Sequence, residues 1–452
     1  MSQRAAWVTE ENAALLTDLY QLTMLQAYWK LGMREEAVFS LFYRKLPQTR
    51  NYMLACGLDD ALRYLETARF TRDALDYLAT LGHFSEEFLR WLEGFRFTGD
   101  VFAMPEGTPV FPEEPILEVV APIAEAQLIE TFLMNQIHLQ TVLAAKAARV
   151  VTAAAGRAVV DFGLRRMHGT DAGMKSARAF YIAGVAATSN VLAGQAYGIP
   201  VAGTMAHSYI QAHDRELDAF RDFARIYPIT ILLVDTYDTL EGVRKVIHLA
   251  RELGEEFRVR AIRLDSGDLA ALAVEARRLL DEADLQRVEI FASGGLDEYS
   301  VAELVRKGAP INGFGVGTRM GVAEDAPTID MVYKLTAYGG RGRLKTSPGK
   351  EVLPGRKQLF RVEEEGRAVR DILARAEEEH SGRPLLGPVM RGGVRLPAGE
   401  ETLAAARERA RAEVQALPEQ IRALEKAERP YPVEVSATLR GYQEEVRGGI
   451  AS

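Results

Sequence analysis

The run Gly198-Ile199-Pro200-Val201-Ala202-Gly203-Thr204-Met205-Ala206-His207-Ser208-Tyr209-Ile210-Gln211 joins a short apolar segment to a histidine. Residues 199–202 read as a buried strand, Gly203 and Thr204 break it, and His207 opens the next helix. Short, apolar, non-alternating strands that feed helices are the pattern of a parallel sheet covered on both faces. A polar residue just past such a strand lies on the face where α/β proteins bind ligands. The same unit recurs around this run. Strands are predicted at 159–162, 199–202, 229–234, 259–264, 288–292 and 313–317, with helices over 171–196, 208–226, 240–253, 269–283 and 296–307. This alternation implies right-handed crossovers and a parallel sheet. A doubly wound sheet and a barrel both satisfy it. Polar motifs at the end of nearly every strand favour an α/β fold with an irregular TIM-like β/α barrel, because an open sheet concentrates its ligands at one switch point.

The barrel is assigned to residues 151–330. Residues 1–150 read as an N-terminal α+β domain: a helix over 12–31, a strand over 37–44, helices near 57–68, 72–81 and 85–94, a proline-punctuated small sheet over 97–122, and a long helix over 125–154. Residues 331–452 read as a C-terminal extension packing on both. It holds a β-like run to Ala337, basic loops at 339–345 and 352–357, and a charged helical stretch over 400–428 interrupted at Pro418. The polar end, 429–452, is expected to be peripheral.

Composition sets bounds. The chain has 452 residues, 48% hydrophobic and 26% charged, with a net charge of −8. That length supports two or three domains. The acidic balance argues against a general nucleic-acid binder. Cys56 is the one cysteine, which rules out an intrachain disulfide and a cysteine-based zinc cluster. No apolar run approaches the ~18 residues that would span a bilayer. Residues 1–10 show no leader pattern, so a cytoplasmic protein is expected.

The strand ends carry the chemistry. They read Asp161-Phe162-Gly163-Leu164-Arg165-Arg166, Gly203-Thr204-Met205-Ala206-His207-Ser208, Asp235-Thr236-Tyr237-Asp238, Arg263-Leu264-Asp265-Ser266-Gly267-Asp268, Ser293-Gly294-Gly295 and Gly315-Val316-Gly317-Thr318. Glycine loops after the last two strands can bring backbone N–H groups against a phosphate; alone, they could equally be tight turns. No P-loop or dinucleotide fingerprint is present. Arg165 and Arg166 offer bidentate partners for carboxylate or phosphate, against the common alternative of a surface pair. Phe162 is either an aromatic face for a ring or a core residue. Asp235, Asp238, Asp265 and Asp268 form an acidic rim suited to ribose hydroxyls or Mg²⁺; Asp268 or Ser266 can instead serve as a helix N-cap, and Asp265 is favoured for function and Asp268 for capping. Among the seven histidines, His207 alone lies among these motifs. Its ring is suited to act as base or nucleophile, or simply to cap the helix start.

Taken together these motifs, with Thr17-Asp18-Leu19-Tyr20-Gln21-Leu22-Thr23-Met24 and Thr188-Ser189-Asn190-Val191-Leu192-Ala193-Gly194, resemble the nicotinate phosphoribosyltransferases, within the type II phosphoribosyltransferases. They occur in family order over roughly residues 12 to 360. The resemblance implies that nicotinate attacks C1 of 5-phosphoribosyl 1-pyrophosphate, giving nicotinate mononucleotide and pyrophosphate in NAD salvage. It implies ATP as co-substrate, coupled through a phosphohistidine at His207, and Mg²⁺ as cofactor with Asp265 as its ligand. By the same likeness Phe162, Arg165 and Thr204 attend the nicotinate ring. Arg165, Arg166, Arg263, Asp235, Gly294, Gly295, Gly315, Gly317 and Thr318 attend the phosphoribosyl group, and Asp265 and His207 are catalytic. Tyr20, which helical spacing alone would place in a core, is implied to stack on the ring in a neighbouring subunit's site, so a homodimer with shared sites is expected. The nicotinamide-using relative carries an acidic residue near 188–190; its absence here favours the acid substrate. A nicotinamide- or quinolinate-using relative and an inactive metabolite-binding barrel are the competing readings.

Overall fold

The computed structural model describes residues 7–347 and 351–451. Residues 1–6, part of the stretch read as lacking a leader, lie outside the described residues. The chain forms two compact units, Leu143–Pro327 and Met1–Val142 with Thr328–Ser452.

The unit Leu143–Pro327 holds a six-stranded parallel sheet: β1 (Ala158–Asp161), β2 (Ala187–Thr188), β3 (Ile231–Leu233), β4 (Ala261–Leu264), β5 (Glu289–Ala292) and β6 (Gly313–Val316). Their order is β2-β1-β6-β5-β4-β3. The first strand of the unit therefore lies beside the last, which is barrel order. No strand pairing joins β2 to β3 among the described residues, so where the sequence predicts an irregular TIM-like barrel the sheet is a curled half-barrel. The break falls on the run that defines the fold. Residues 199–202 form only a single bridge, Val201 to Thr188. Pro200 has no N–H to give a neighbour, and Val201 is 51% exposed on the open side. Burial of Val159, Val160, Leu232, Leu233, Ile262, Leu264, Ile290, Phe314 and Val316 explains why these strands do not alternate.

Two helices read as continuous are divided. The span 171–196 breaks into Thr170–Ile182 and Val191–Tyr197, with β2 between. Gly184, at φ +111, turns the chain out of the first helix. The span 208–226 breaks into His207–Gln211 and Glu216–Ile226. Side chains cap the others: Asp238 accepts from the Glu241 N–H, and Asp268 from those of Ala270 and Ala271. A buried ion cluster holds the outer layer. Glu298 accepts from Lys146 and, at 3.1 Å, from Arg149 Nε, and Lys146 also donates to Asp325 at 2.8 Å.

The other unit is built on a seven-stranded antiparallel sheet in which Met331–Tyr338, Glu36–Tyr43, Leu117–Pro122, Asp100–Ala103 and Gly387–Arg391 lie side by side. The long helical span 125–154 is Ile123–Leu128 followed by Glu130–Ala153. A second sheet pairs Lys357–Glu364 with Arg367–Arg375. This hairpin was not anticipated, nor was the order of the chain's end. Val433–Val435 adds a parallel strand to Arg367–Arg375, and Tyr431 stacks on Phe111 with centroids 4.0 Å apart. Arg361 is fully buried there. It donates to both carboxylate oxygens of Asp371 (3.0 and 2.7 Å), to Glu413 (3.0 Å) and to the Pro109 carbonyl (2.9 Å). Among the described residues no helix is long and apolar enough to cross a membrane.

Candidate active site

Parallel strands put all their C-terminal ends on one side, and there the half-barrel links its ends through carboxylates. Asp235, past β3, is buried. Its Oδ2 accepts from the Asp265 N–H (2.9 Å) and the Ser266 hydroxyl (2.7 Å), while its Oδ1 is buried with no hydrogen-bond partner among the described residues. Asp265, past β4, accepts from the Ser293 hydroxyl, past β5, at 2.5 Å. Its other oxygen lies 3.9 Å from His207 Nε2. His207 Nδ1 lies 3.1 Å from Thr236 Oγ1. His207 and Asp265 are 40% and 37% exposed, so both rims remain open to a ligand. Three strand ends, those of β3, β4 and β5, and the His207 segment thus meet through side chains.

A second set of contacts surrounds Phe162. Phe162 is half-buried, 6.1 Å from Phe291 between centroids, with the Arg263 guanidinium 5.8 Å from its ring centre. Arg263 donates to Thr204 Oγ1 (2.8 Å) and to the Met205 carbonyl (3.0 Å). It therefore ties β4 to the segment that carries His207. Burial lowers its proton affinity, Asp265 and Asp235 oppose that, and Arg165 adds to it. The structure places Gly315 inside β6 beneath Phe162, where a Cβ would lie 2.5 Å from two ring atoms. Gly315 is thereby a floor for the ring.

Arg165 and Arg166 lie in the 3-10 turn Leu164–Arg166, both exposed. Asp161, buried at the end of β1, holds that turn. Its Oδ1 accepts from the Gly163 N–H and its Oδ2 from the Thr188 hydroxyl, both at 2.8 Å. Burial raises the Asp161 carboxyl above its usual range. Thr188 in turn exchanges backbone bonds with Pro200 and Ala202. Asp161 so connects the Phe162–Arg165 turn to the His207 segment. Of the glycine loops, Gly294 has φ +94, and a Cβ there would lie 1.8 Å from the Asp265 carbonyl oxygen. Gly295 has φ +62 and an open front. Gly317 precedes the single helical turn Thr318–Gly321, with Thr318 exposed at its start.

Tyr20 lies in the other unit, on the helix Leu19–Lys30. It is 50% exposed rather than in a core, and its hydroxyl accepts from Gln21 Nε2 at 3.2 Å. Thr236, Ser293 and Asp161 carry no individual role in the sequence reading; each stands inside a strand-end motif, and that position is the available signal. Thr188 belongs to the 188–194 motif, but its bond to Asp161 has no local sequence signal. Among the described residues no cluster of three or more His, Cys, Asp or Glu side chains could hold a metal ion.

A half-barrel with a carboxylate chain, arginines, a histidine and two glycine loops at one end defines an α/β protein whose pocket suits an anionic, ring-bearing ligand. The profile described as the nicotinate phosphoribosyltransferase (NAPRTase) N-terminal domain matches residues 15–138, and that of the NAPRTase family matches residues 157–359. The chain is 57% identical over 434 residues to the Mycobacterium tuberculosis protein described as nicotinate phosphoribosyltransferase pncB2, covering 96% of this chain and 94% of that one. It is 43% identical to the nicotinate phosphoribosyltransferase of Bacillus subtilis, over 78% of this chain and 74% of that one. The crystal structure of human nicotinic acid phosphoribosyltransferase superposes with a TM-score of 0.85 at 29% identity, covering 96% of this chain and all of that one. The chain belongs to the nicotinate phosphoribosyltransferase family.

Proposed function

We propose that the protein is an enzyme that joins nicotinate to 5-phosphoribosyl 1-pyrophosphate, releasing pyrophosphate and forming nicotinate mononucleotide for NAD salvage in the cytoplasm. The observation that carries this reading is the convergence of Phe162, Arg263, Arg165, Asp265 and His207 on one end of the half-barrel. Phe162, floored by Gly315, offers a flat face to a pyridine ring. Arg165, exposed in a turn fixed by Asp161, offers a guanidinium to a carboxylate or phosphate. The neutral segment Thr188-Ser189-Asn190 supports nicotinate over nicotinamide. Its side chains are engaged locally: Asn190 accepts from the Ala193 N–H and donates to the Gly173 carbonyl.

In this reading the pyridine nitrogen forms a bond to C1 of the ribose while the C1–O bond to pyrophosphate breaks. The bonding electrons leave with pyrophosphate. Positive charge develops at C1, and the Asp265 carboxylate stabilises it. Gly294, Gly295, Gly317 and Thr318 receive the phosphate of the ribosyl group, with Arg166 and Arg263 supplying positive charge around it. Mg²⁺ fits the unpartnered Asp235 Oδ1 and the Asp265 carboxylate, since it commonly takes one or two carboxylates with substrate phosphates and water; it would neutralise charge on pyrophosphate. His207, through Nε2, accepts the γ-phosphoryl of ATP as ADP leaves, and hydrolysis of the phosphohistidine drives the forward reaction. Tyr20 from a second copy closes the ring site in a homodimer.

The test is direct. Purified protein with the phosphoribosyl donor and Mg²⁺ is given nicotinate or nicotinamide, and nucleotide and pyrophosphate are quantified. Formation of nicotinate mononucleotide, with nicotinamide much poorer, supports the assignment; no product from nicotinate, or preference for nicotinamide, overturns it.

A further inference from the structure

The two glycine loops are joined by one ion pair. Asp297 stands two residues after Gly295, and Arg319 two residues after Gly317. Arg319 Nη1 donates to Asp297 Oδ2 at 2.6 Å, and Arg319 Nε lies 3.2 Å from Glu324. The other oxygen of Asp297 is already engaged: Oδ1 accepts from the Ser300 N–H and hydroxyl, both at 2.8 Å, in a capping box that starts the helix Glu298–Arg306. Asp297 is 15% exposed and its side chain is oriented on both sides. The next residue, Glu298, is held by Lys146 and Arg149. The loop after β5 is thus anchored from behind, and through Asp297 it holds the loop after β6. Among the described residues Arg165 and Arg166 form no ion pair, whereas Arg319 is paired twice; this separates an arginine that positions from arginines open to ligand.

We infer that the Asp297–Arg319 pair is a clasp that sets the spacing of the Gly294–Gly295 and Gly317–Thr318 backbones, and so tunes affinity for the ribosyl phosphate. Both are positioning residues that act through the loops. The inference rests on the proposed function and adds to it a determinant specific to one substrate. A clasp that opens should weaken the phosphate-bearing donor and leave the ring seat at Phe162, on the other side of β6, as it was.

Steady-state rates of the full-length protein decide this, using Asp297→Asn, Arg319→Gln, Arg319→Lys and the Asp297→Asn/Arg319→Gln double variant. Asparagine is a good N-cap, so Asp297→Asn keeps the helix start and removes the charge. Each neutral variant is expected to raise the donor KM by about three- to tenfold, from loss of a charge-assisted hydrogen bond, with the nicotinate KM unchanged. Arg319→Lys should recover most of the loss, and the double variant should be no worse than either single one. An unchanged donor KM, or a parallel rise in the nicotinate KM, overturns the clasp. If the wild type makes no nucleotide, the proposed function fails, and calorimetric titration with ribose 5-phosphate still tests the clasp: weaker binding by the neutral variants supports it, equal binding overturns it.

Discussion

Thr236 Oγ1 lies 3.1 Å from His207 Nδ1, which leaves Nε2 as the ring nitrogen on the Asp265 side, 3.9 Å from that carboxylate. The two contacts orient the imidazole. A nucleophilic histidine needs one nitrogen held and the other free, and the hydrogen bond on the first selects the reactive one. Thr236→Val keeps the shape and removes the hydroxyl. It is expected to reduce ATP consumed per nucleotide formed by about fivefold, the loss of one hydrogen bond of about 1 kcal/mol. Simultaneous assay of ADP and nucleotide checks this, and unchanged coupling would remove Thr236 from the account.

Gly315 has no room for a methyl group beneath Phe162. Gly315→Ala must push the ring from its seat, and overpacking of this kind costs about 1–3 kcal/mol. The nicotinate KM should rise about tenfold, which corresponds to about 1.4 kcal/mol, while the donor KM moves less. Separate titration of the two substrates distinguishes this from general damage to the half-barrel.

The half-barrel itself was legible because its strands are short, apolar and regularly spaced, and because Gly294 and Asp268 announce turns and caps with strong local chemistry. What was not legible has physical causes. Residues 199–202 carry a strand's apolar pattern, but Pro200 and an open flank leave a single bridge, so the barrel does not close. Parallel pairing with Asp161, distant in sequence, makes Thr188 a strand residue within a helical pattern. Arg361 and Asp371 are charged residues that sequence patterning places outside a core, yet each buries through its partner. Tyr20 sits at a helical apolar position and is nonetheless half-exposed.

In the unit that holds the antiparallel sheet, Arg361 pairs with both Asp371 and Glu413. Arg361→Met leaves the buried Asp371 carboxylate without its cation, while Glu413 keeps Arg383; breaking a buried pair this way typically costs about 3–5 kcal/mol. Denaturant unfolding should show a loss of that order, and a change below about 1 kcal/mol would mean that the pair contributes little.

Glu114, buried beside Asp371, is held well above the ordinary carboxylate range, first by burial and then by the Asp371 charge, with Arg361 opposing. Its Oε2 accepts from the Phe111 N–H at 2.8 Å. The folded protein keeps a proton that the unfolded chain releases near pH 4.5. Stability therefore falls as pH rises past that value, through the window up to the folded pKa. Glu114→Gln removes this slope. Relative to the variant, the wild type should lose stability between acid and neutral pH, and parallel unfolding curves for the two would contradict the assignment.

The most direct measurement compares wild type with His207→Ala for initial rates of mononucleotide formation from nicotinate and 5-phosphoribosyl 1-pyrophosphate, with and without ATP. The wild type should form nicotinate mononucleotide and accelerate with ATP, while the variant forms it slowly and ignores ATP. Absence of the mononucleotide in the wild type, or a full ATP response in the variant, would contradict the account.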